Sequence, residues 1–207
     1  MHELSDIAKE YLSRLDRDET TCQKNDIIDF FNSNNIPVFD PVIRFQEKYS
    51  GYCFPNHYDI YFRLIQGEGG LPFSNKTAFV DFDLNEKKGL YFFICAGSED
   101  FQMTFEIDEL GRYYEDRKCY ASSFDKVIEG LAIRELISKI EDVESIGYPY
   151  HNLQFESLNS LGLEIIKSAS DEYTQWYSRD LIYVRRHENE VELFYPRHLK
   201  IKEKLNI

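Results

Sequence analysis

Phe101-Gln-Met-Thr-Phe-Glu-Ile-Asp108-Glu-Leu-Gly111-Arg-Tyr-Tyr114 is the stretch that decides the fold. Phe101, Met103, Phe105 and Ile107 alternate with Gln102, Thr104 and Glu106, the period of a strand with one buried face. Asp108-Glu109-Leu110-Gly111 reads as a turn, and Arg112 to Tyr114 restarts a strand. Just upstream, Leu90 to Ala96 is a continuous apolar run, as in a strand buried on both faces. Phe79 to Leu84 alternates again, with Val80, Phe82 and Leu84 opposite Asp81 and Asp83. The connections are short, so the four strands predict an antiparallel meander.

A long helix is expected after the meander. Ser122 and Asp125 have capping-box spacing. Phe124, Val127, Ile128, Leu131, Ile133, Leu136, Ile137 and Ile140 form a broad apolar stripe that continues to Val143. At roughly 1.5 Å per residue the helix would be about 30 Å long, enough to cover one face of the sheet. Before the meander, Leu4, Ile7, Ala8, Tyr11, Leu12 and Leu15 mark a first helix, and Ile27 to Phe31 a second. Asp40-Pro41 predicts the N-cap and first turn of a third helix, with Gly51 at its C-terminal end. Tyr58 to Ile65 is aromatic and suits a strand or a helix, with strand preferred, and Gln66-Gly67-Glu68-Gly69-Gly70 reads as a loop, because three glycines in four residues are costly to order. After an irregular stretch from Gly147 to Gly162, Leu181–Arg185 and Val191–Tyr195 predict a hairpin around His187-Glu188-Asn189-Glu190. The expected fold class is α+β: N-terminal helices, a central mostly antiparallel sheet, a long helix packed on the sheet, and a C-terminal extension. The expected boundary separates a domain of residues 1–143 from an extension of residues 144–207 packed on it.

Composition narrows the function classes. The 207 residues carry 24 Lys and Arg against 37 Asp and Glu, a net charge of −13. Such a surface repels phosphate backbones and anionic membranes, so neither nucleic acid nor membrane is expected as a partner. Arg185-Arg186 and the C-terminal Lys200, Lys202 and Lys204 are the main hints of a basic patch. No run of 18 apolar residues occurs, and the start Met1-His2-Glu3-Leu4-Ser5-Asp6 lacks the pattern of a signal peptide. Cys22, Cys53, Cys95 and Cys119 form no CxxC, and the expected compartment is a reducing cytoplasm.

Motifs for chemistry fail one by one. Gly70 to Thr77 is one residue from a phosphate-binding loop, with Asn75 where glycine belongs and a strand where a helix should follow. Cys53 and His57 are four apart, but Pro55 lies between them and no further metal ligands stand at a recognisable spacing. The bland expectation there is a buried thiol and a surface imidazole, and His151, His187 and His198 are isolated too. Asp81 and Asp83 would share one strand face about 7 Å apart, a spacing that suits a cation but equally the polar face of a sheet. No catalytic residue, metal ligand or cofactor is expected. The purified protein should hold no stoichiometric zinc and should not hydrolyse ATP.

One resemblance remains. Phe92-Phe93-Ile94, the run Phe105-Glu-Ile107-Asp108-Glu-Leu-Gly111-Arg-Tyr113-Tyr114, and Ala121-Ser-Ser123-Phe124 with Ile128 and Leu131 together resemble the SUKH superfamily. The shared pattern is a strand, an Asp-x-x-Gly turn, a strand ending in Tyr, and a Ser-Phe helix start. Val42-Ile-Arg-Phe45-Gln-Glu-Lys48-Tyr49-Ser-Gly51 is similar to the helix that precedes it there, and the likeness spans about residues 25 to 143. Many members are immunity proteins that neutralise contact-delivered toxins by direct binding; others are regulators. The resemblance implies a non-enzymatic inhibitor of a toxin, and the acidity implies that the toxin domain is basic. A small-molecule-dependent enzyme with a site hidden in linear sequence, and a regulatory scaffold without a toxin, are the alternatives. The carboxylates expected on exposed strand faces and turns for the partner are Asp81, Asp83, Glu99, Asp100, Asp108 and Glu109.

Overall fold

The computed structural model describes residues 3–19, 23–55, 57, 60–66, 79–80, 82–85, 89–98, 103–147 and 153–205. Three helices come first: α1 (Asp6–Ser13), α2 (Lys24–Ser33) and α3 (Asp40–Tyr49). Four two-residue strands follow, β1 (Cys53–Phe54), β2 (Ile60–Tyr61), β3 (Ile65–Gln66) and β4 (Phe79–Val80). Then come β5 (Phe82–Asn85), β6 (Leu90–Ser98), β7 (Met103–Asp108), β8 (Tyr113–Glu115) and β9 (Lys118–Ala121). Helix α4 (Phe124–Ser138) leads into β10 (Val143–Gly147), β11 (Glu164–Ile165), β12 (Thr174–Arg179), β13 (Ile182–His187), β14 (Glu190–Pro196) and the short α5 (Ile201–Leu205). The class is α+β, with antiparallel sheets and the long helix packed on a sheet. No helix among the described residues is long and apolar enough to cross a membrane.

The chain forms two compact units, residues 13–119 and residues 1–12 with 120–207. The expected boundary after residue 143 differs from this division, in which residues 124–143 fall in one unit with 144–207.

The first unit, residues 13–119, holds the meander, in the order β5-β6-β7-β8-β9. The apolar run becomes the interior strand β6, hydrogen-bonded to β5 on one side and β7 on the other, and Phe92, Phe93, Cys95 and Ala96 are buried. Register puts Phe82, Phe93, Ile107 and Tyr113 in one cross-strand row. Phe31 of α2 and Phe39 pack on Phe93, with ring centroids 5.3 and 5.9 Å away. These aromatic contacts seat the helices on the sheet. Asp40 lies inside the first turn of α3, with Phe39 as N-cap, one residue from the expected position. Gly51, at φ +93°, follows the C-cap Ser50 in the conformation that a helix stop favours.

The second unit, residues 1–12 and 120–207, is built on the sheet order β10-β14-β13-β12-β11. The expected hairpin is its β13–β14 pair, turning at Glu188 and Asn189. Helix α4 lies against this sheet through Ile133, Ile137, Ala169 and Trp176. Gly130 permits the approach: a Cβ there would sit 3.0 Å from the indole nitrogen of Trp176. Glu129, also buried, accepts from the Ser5 backbone N–H at 2.6 Å and the Ser5 hydroxyl at 2.7 Å, which ties the start of α1 to α4.

Two helix expectations are corrected. The capping box is not formed; Ser123 is the N-cap, and the Ser122 N–H donates to Asp171 at 2.6 Å. The helix also stops at Ser138, so it is about 22 Å long at roughly 1.5 Å per residue. Asp142 turns the chain at φ +51°, and Val143 pairs with Pro196 in the sheet.

Candidate functional site

Asp108 ends β7 and organises the turn that follows. Its Oδ1 accepts from the backbone N–H groups of Leu110 at 3.0 Å and Arg112 at 2.9 Å. Its Oδ2 accepts from Arg112 Nε at 2.7 Å and the Tyr114 hydroxyl at 3.1 Å, and Arg112 Nη2 stands 2.6 Å away. The side chain has no solvent exposure. Gly111 completes the turn at φ +83°, where an added Cβ would meet Pro41 Cβ at 2.8 Å. Burial, followed by the Asp108 charge, pushes the Tyr114 phenol well above its ordinary pKa, so the hydroxyl keeps the proton it donates.

This corrects the expectation for Asp108, which is a buried turn anchor and not an exposed partner-binding carboxylate. Glu109 is half-buried and accepts from the Tyr91 N–H at 3.0 Å. Asp83 is exposed on β5, between the exposed Phe82 and Leu84. Asp81, Glu99 and Asp100 lie outside the described residues, as do the shared face expected for Asp81 and Asp83 and the Gly70–Thr77 segment. Of the six expected carboxylates, the described residues include Asp83, Asp108 and Glu109; Asp83 and Asp108 share one cross-strand row through Phe92, and of the three only Asp83 is exposed.

His57 Nε2 lies 2.8 Å from the Tyr113 hydroxyl and 3.5 Å from Glu115, and its ring stacks on Phe62 at 5.5 Å. Its side chain is only 11% exposed, so the expected surface imidazole is corrected to a largely buried one. Cys53 is half-buried and Cys95 buried; burial drives the Cys95 thiol pKa well up, which removes it as a nucleophile. No group of three His, Cys, Asp or Glu that could hold a metal ion occurs among the described residues.

The second unit carries a polar network that sequence reading missed. Glu192 accepts from Arg185 at 2.7 Å and from Arg134 of α4 at 3.0 Å. Arg185, buried, also donates to the Tyr120 hydroxyl at 3.1 Å. Burial opposes its charge, but Tyr120 and Glu192 hold its pKa above the ordinary value. Arg185-Arg186 is thus no basic patch, since Arg186 itself lies over the Phe155 ring at 5.3 Å.

His187 stands beside this network, with Nδ1 3.0 Å from Thr174 Oγ1 and 3.2 Å from the Tyr173 carbonyl. The Thr174 hydroxyl donates its proton to the Tyr120 carbonyl at 2.7 Å, so the neutral imidazole carries its own proton on Nδ1. Burial first, and the Arg185 charge second, lower the His187 pKa below 6.5; Glu188 and Glu190 pull the other way. A depressed folded pKa means that the unfolded chain binds the proton first. The His187 contribution to stability is therefore complete above pH 6.5 and falls as the pH drops from there toward the folded value. Urea unfolding from pH 8 to 5, read through Trp176 fluorescence, is expected to lose midpoint below pH 6.5. His187→Asn should reduce that loss; an unchanged loss in the variant would assign it to other groups.

A groove of about 700 Å³ opens where α4 ends. Leu136 and Ile140 from the helix end, Leu181 and Tyr183 from the start of β13, and Pro196 from β14 form its apolar wall. Glu141 and Asp142 stand at its rim with Lys139 and His198. Compared with protein-family models, with curated proteins and with solved structures, the chain matches none of them.

Proposed function

We propose that the chain is an intracellular immunity protein of the SUKH type, a non-catalytic inhibitor that neutralises a basic toxin domain by direct binding. The observation that carries this reading is the succession of β7, a turn fixed by Asp108 and Gly111, β8 ending beside Tyr114, and α4 starting at Ser123-Phe124. These are the residues in which the resemblance to that family resides. The net charge of −13 supports a partner of opposite sign and argues against nucleic acid.

Co-expression with the toxin domain encoded by a neighbouring gene is expected to restore growth to cells that the domain alone kills. Failure to restore growth overturns the immunity reading. Association of the purified pair should slow as salt is raised, because charge steers the encounter and salt screens it. Asp81→Lys with Asp83→Lys should lower the rate and flatten the salt response. A flat response in the wild type would reject electrostatic capture, and an unchanged response in the double variant would remove these two residues from it.

A further inference from the structure

We infer that the groove at the end of α4 receives an apolar side chain flanked by lysine or arginine, presented by a loop of a basic protein partner. The inference rests on the binding role proposed above and assigns that role a place. Three observations in the second unit support it. The wall is apolar on both sides, and Leu181 is 48% exposed although it sits beside the buried Ile182. An exposed leucine on a concave surface gains burial only from a guest.

The rim is negative. Glu141 has no ion-pair partner among the described residues, and Asp142 meets only the exposed Arg197, at 3.7 Å. The one lysine of the rim, Lys139, is already matched by Glu135 at 3.2 Å. The helix end adds to this potential. Helix α4 is 15 residues long, carries no basic residue in its last turn, and ends beside the groove at the C-cap Lys139, whose charge Glu135 already meets. Tyr183 also lines the groove, and an aromatic ring suits an ammonium or guanidinium as well as an alkyl chain. An acidic or purely apolar guest would leave the carboxylates unmatched.

The probe is the peptide acetyl-Lys-Lys-Leu-Lys-Lys-amide, titrated into the full chain labelled with nitrogen-15, with the Glu-Glu-Leu-Glu-Glu peptide as its counterpart. Saturable shifts are expected at Leu136, Ile140, Glu141, Leu181 and Tyr183 with the lysine peptide only. Glu141→Lys with Leu181→Lys, both at exposed positions, should weaken binding by about tenfold or more while the Trp176 fluorescence of the fold is kept. Absence of saturation, equal binding of the glutamate peptide, or unchanged binding by the double variant would each overturn the inference. The same double variant, tested against the toxin domain, separates the two readings. Toxin capture at the wild-type rate removes the groove and leaves the immunity role. Peptide binding at the groove in a protein that restores no growth keeps the groove and removes that role.

Discussion

Asp108→Ala is expected to destabilise the protein by about 3–5 kcal/mol, because it removes the fully buried member of an ion pair and the acceptor of four hydrogen bonds. The alanine would remove the acceptor shared by the N–H groups of Leu110 and Arg112, the Tyr114 hydroxyl and the Arg112 guanidinium. Against a total stability of about 5–15 kcal/mol for a typical domain, that loss is a large fraction. Asp108→Asn keeps an oxygen for the two N–H groups but turns an amide toward Arg112, so an intermediate loss is expected. Tyr114→Phe removes one hydrogen bond and should cost about 0.5–1.5 kcal/mol. Urea unfolding followed by circular dichroism orders the three. A loss below about 1 kcal/mol for Asp108→Ala would show that the turn holds without its carboxylate. The consequence for binding is direct: loss of partner capture in an Asp108 variant reports loss of the turn.

The meander was legible because strand period and turn chemistry coincide in a few adjacent residues. Alternation from Met103 to Ile107, a turn at Asp108 to Gly111 and the apolar β6 leave little freedom in pairing. The end of α4 was not legible, since Ile140 and Val143 continue the apolar spacing of the helix. What stops it is the left-handed Asp142 and the pairing of Val143 with Pro196, a partner 53 residues away. Strand β12 was missed because Thr174 and Trp176 point to one face while Tyr177 breaks the polar alternation on the other. Among the expected site residues, Asp108 was read as a turn but not as buried. Spacing alone does not tell whether a turn carboxylate faces solvent or its own loop; the local signal was Arg112 four residues on and Tyr114 six on. The groove was beyond reach, because the residues that make it are spread from Leu136 to His198 and converge only through the sheet.

Glu192→Ala is the second large effect, again about 3–5 kcal/mol. Glu192 is the one acceptor shared by Arg185 and Arg134, so alanine leaves two guanidinium groups facing each other in a partly buried space. Arg185 would keep the Tyr120 hydroxyl and a 3.6 Å approach to Glu190, which does not replace a contact of 2.7 Å. Arg134 would keep its place over the rings of Trp176 and Phe194, at 5.6 and 5.8 Å. Arg185→Ala should cost less than Glu192→Ala, since Glu192 then still has Arg134. The desolvation of all three charges also predicts a reversal. Arg134→Met, Arg185→Leu and Glu192→Leu made together should be near wild type or more stable by about 1–4 kcal/mol, because an apolar set has no charge to desolvate. The single losses would then not add, as expected for residues in one network. Trp176, the sole tryptophan of the chain, lies under Arg134 and reports each unfolding transition by fluorescence. If the triple variant loses as much as Glu192→Ala alone, the ion pairs contribute net stability. If Glu192→Ala loses less than about 1 kcal/mol, solvent reaches the site and screens the two arginines.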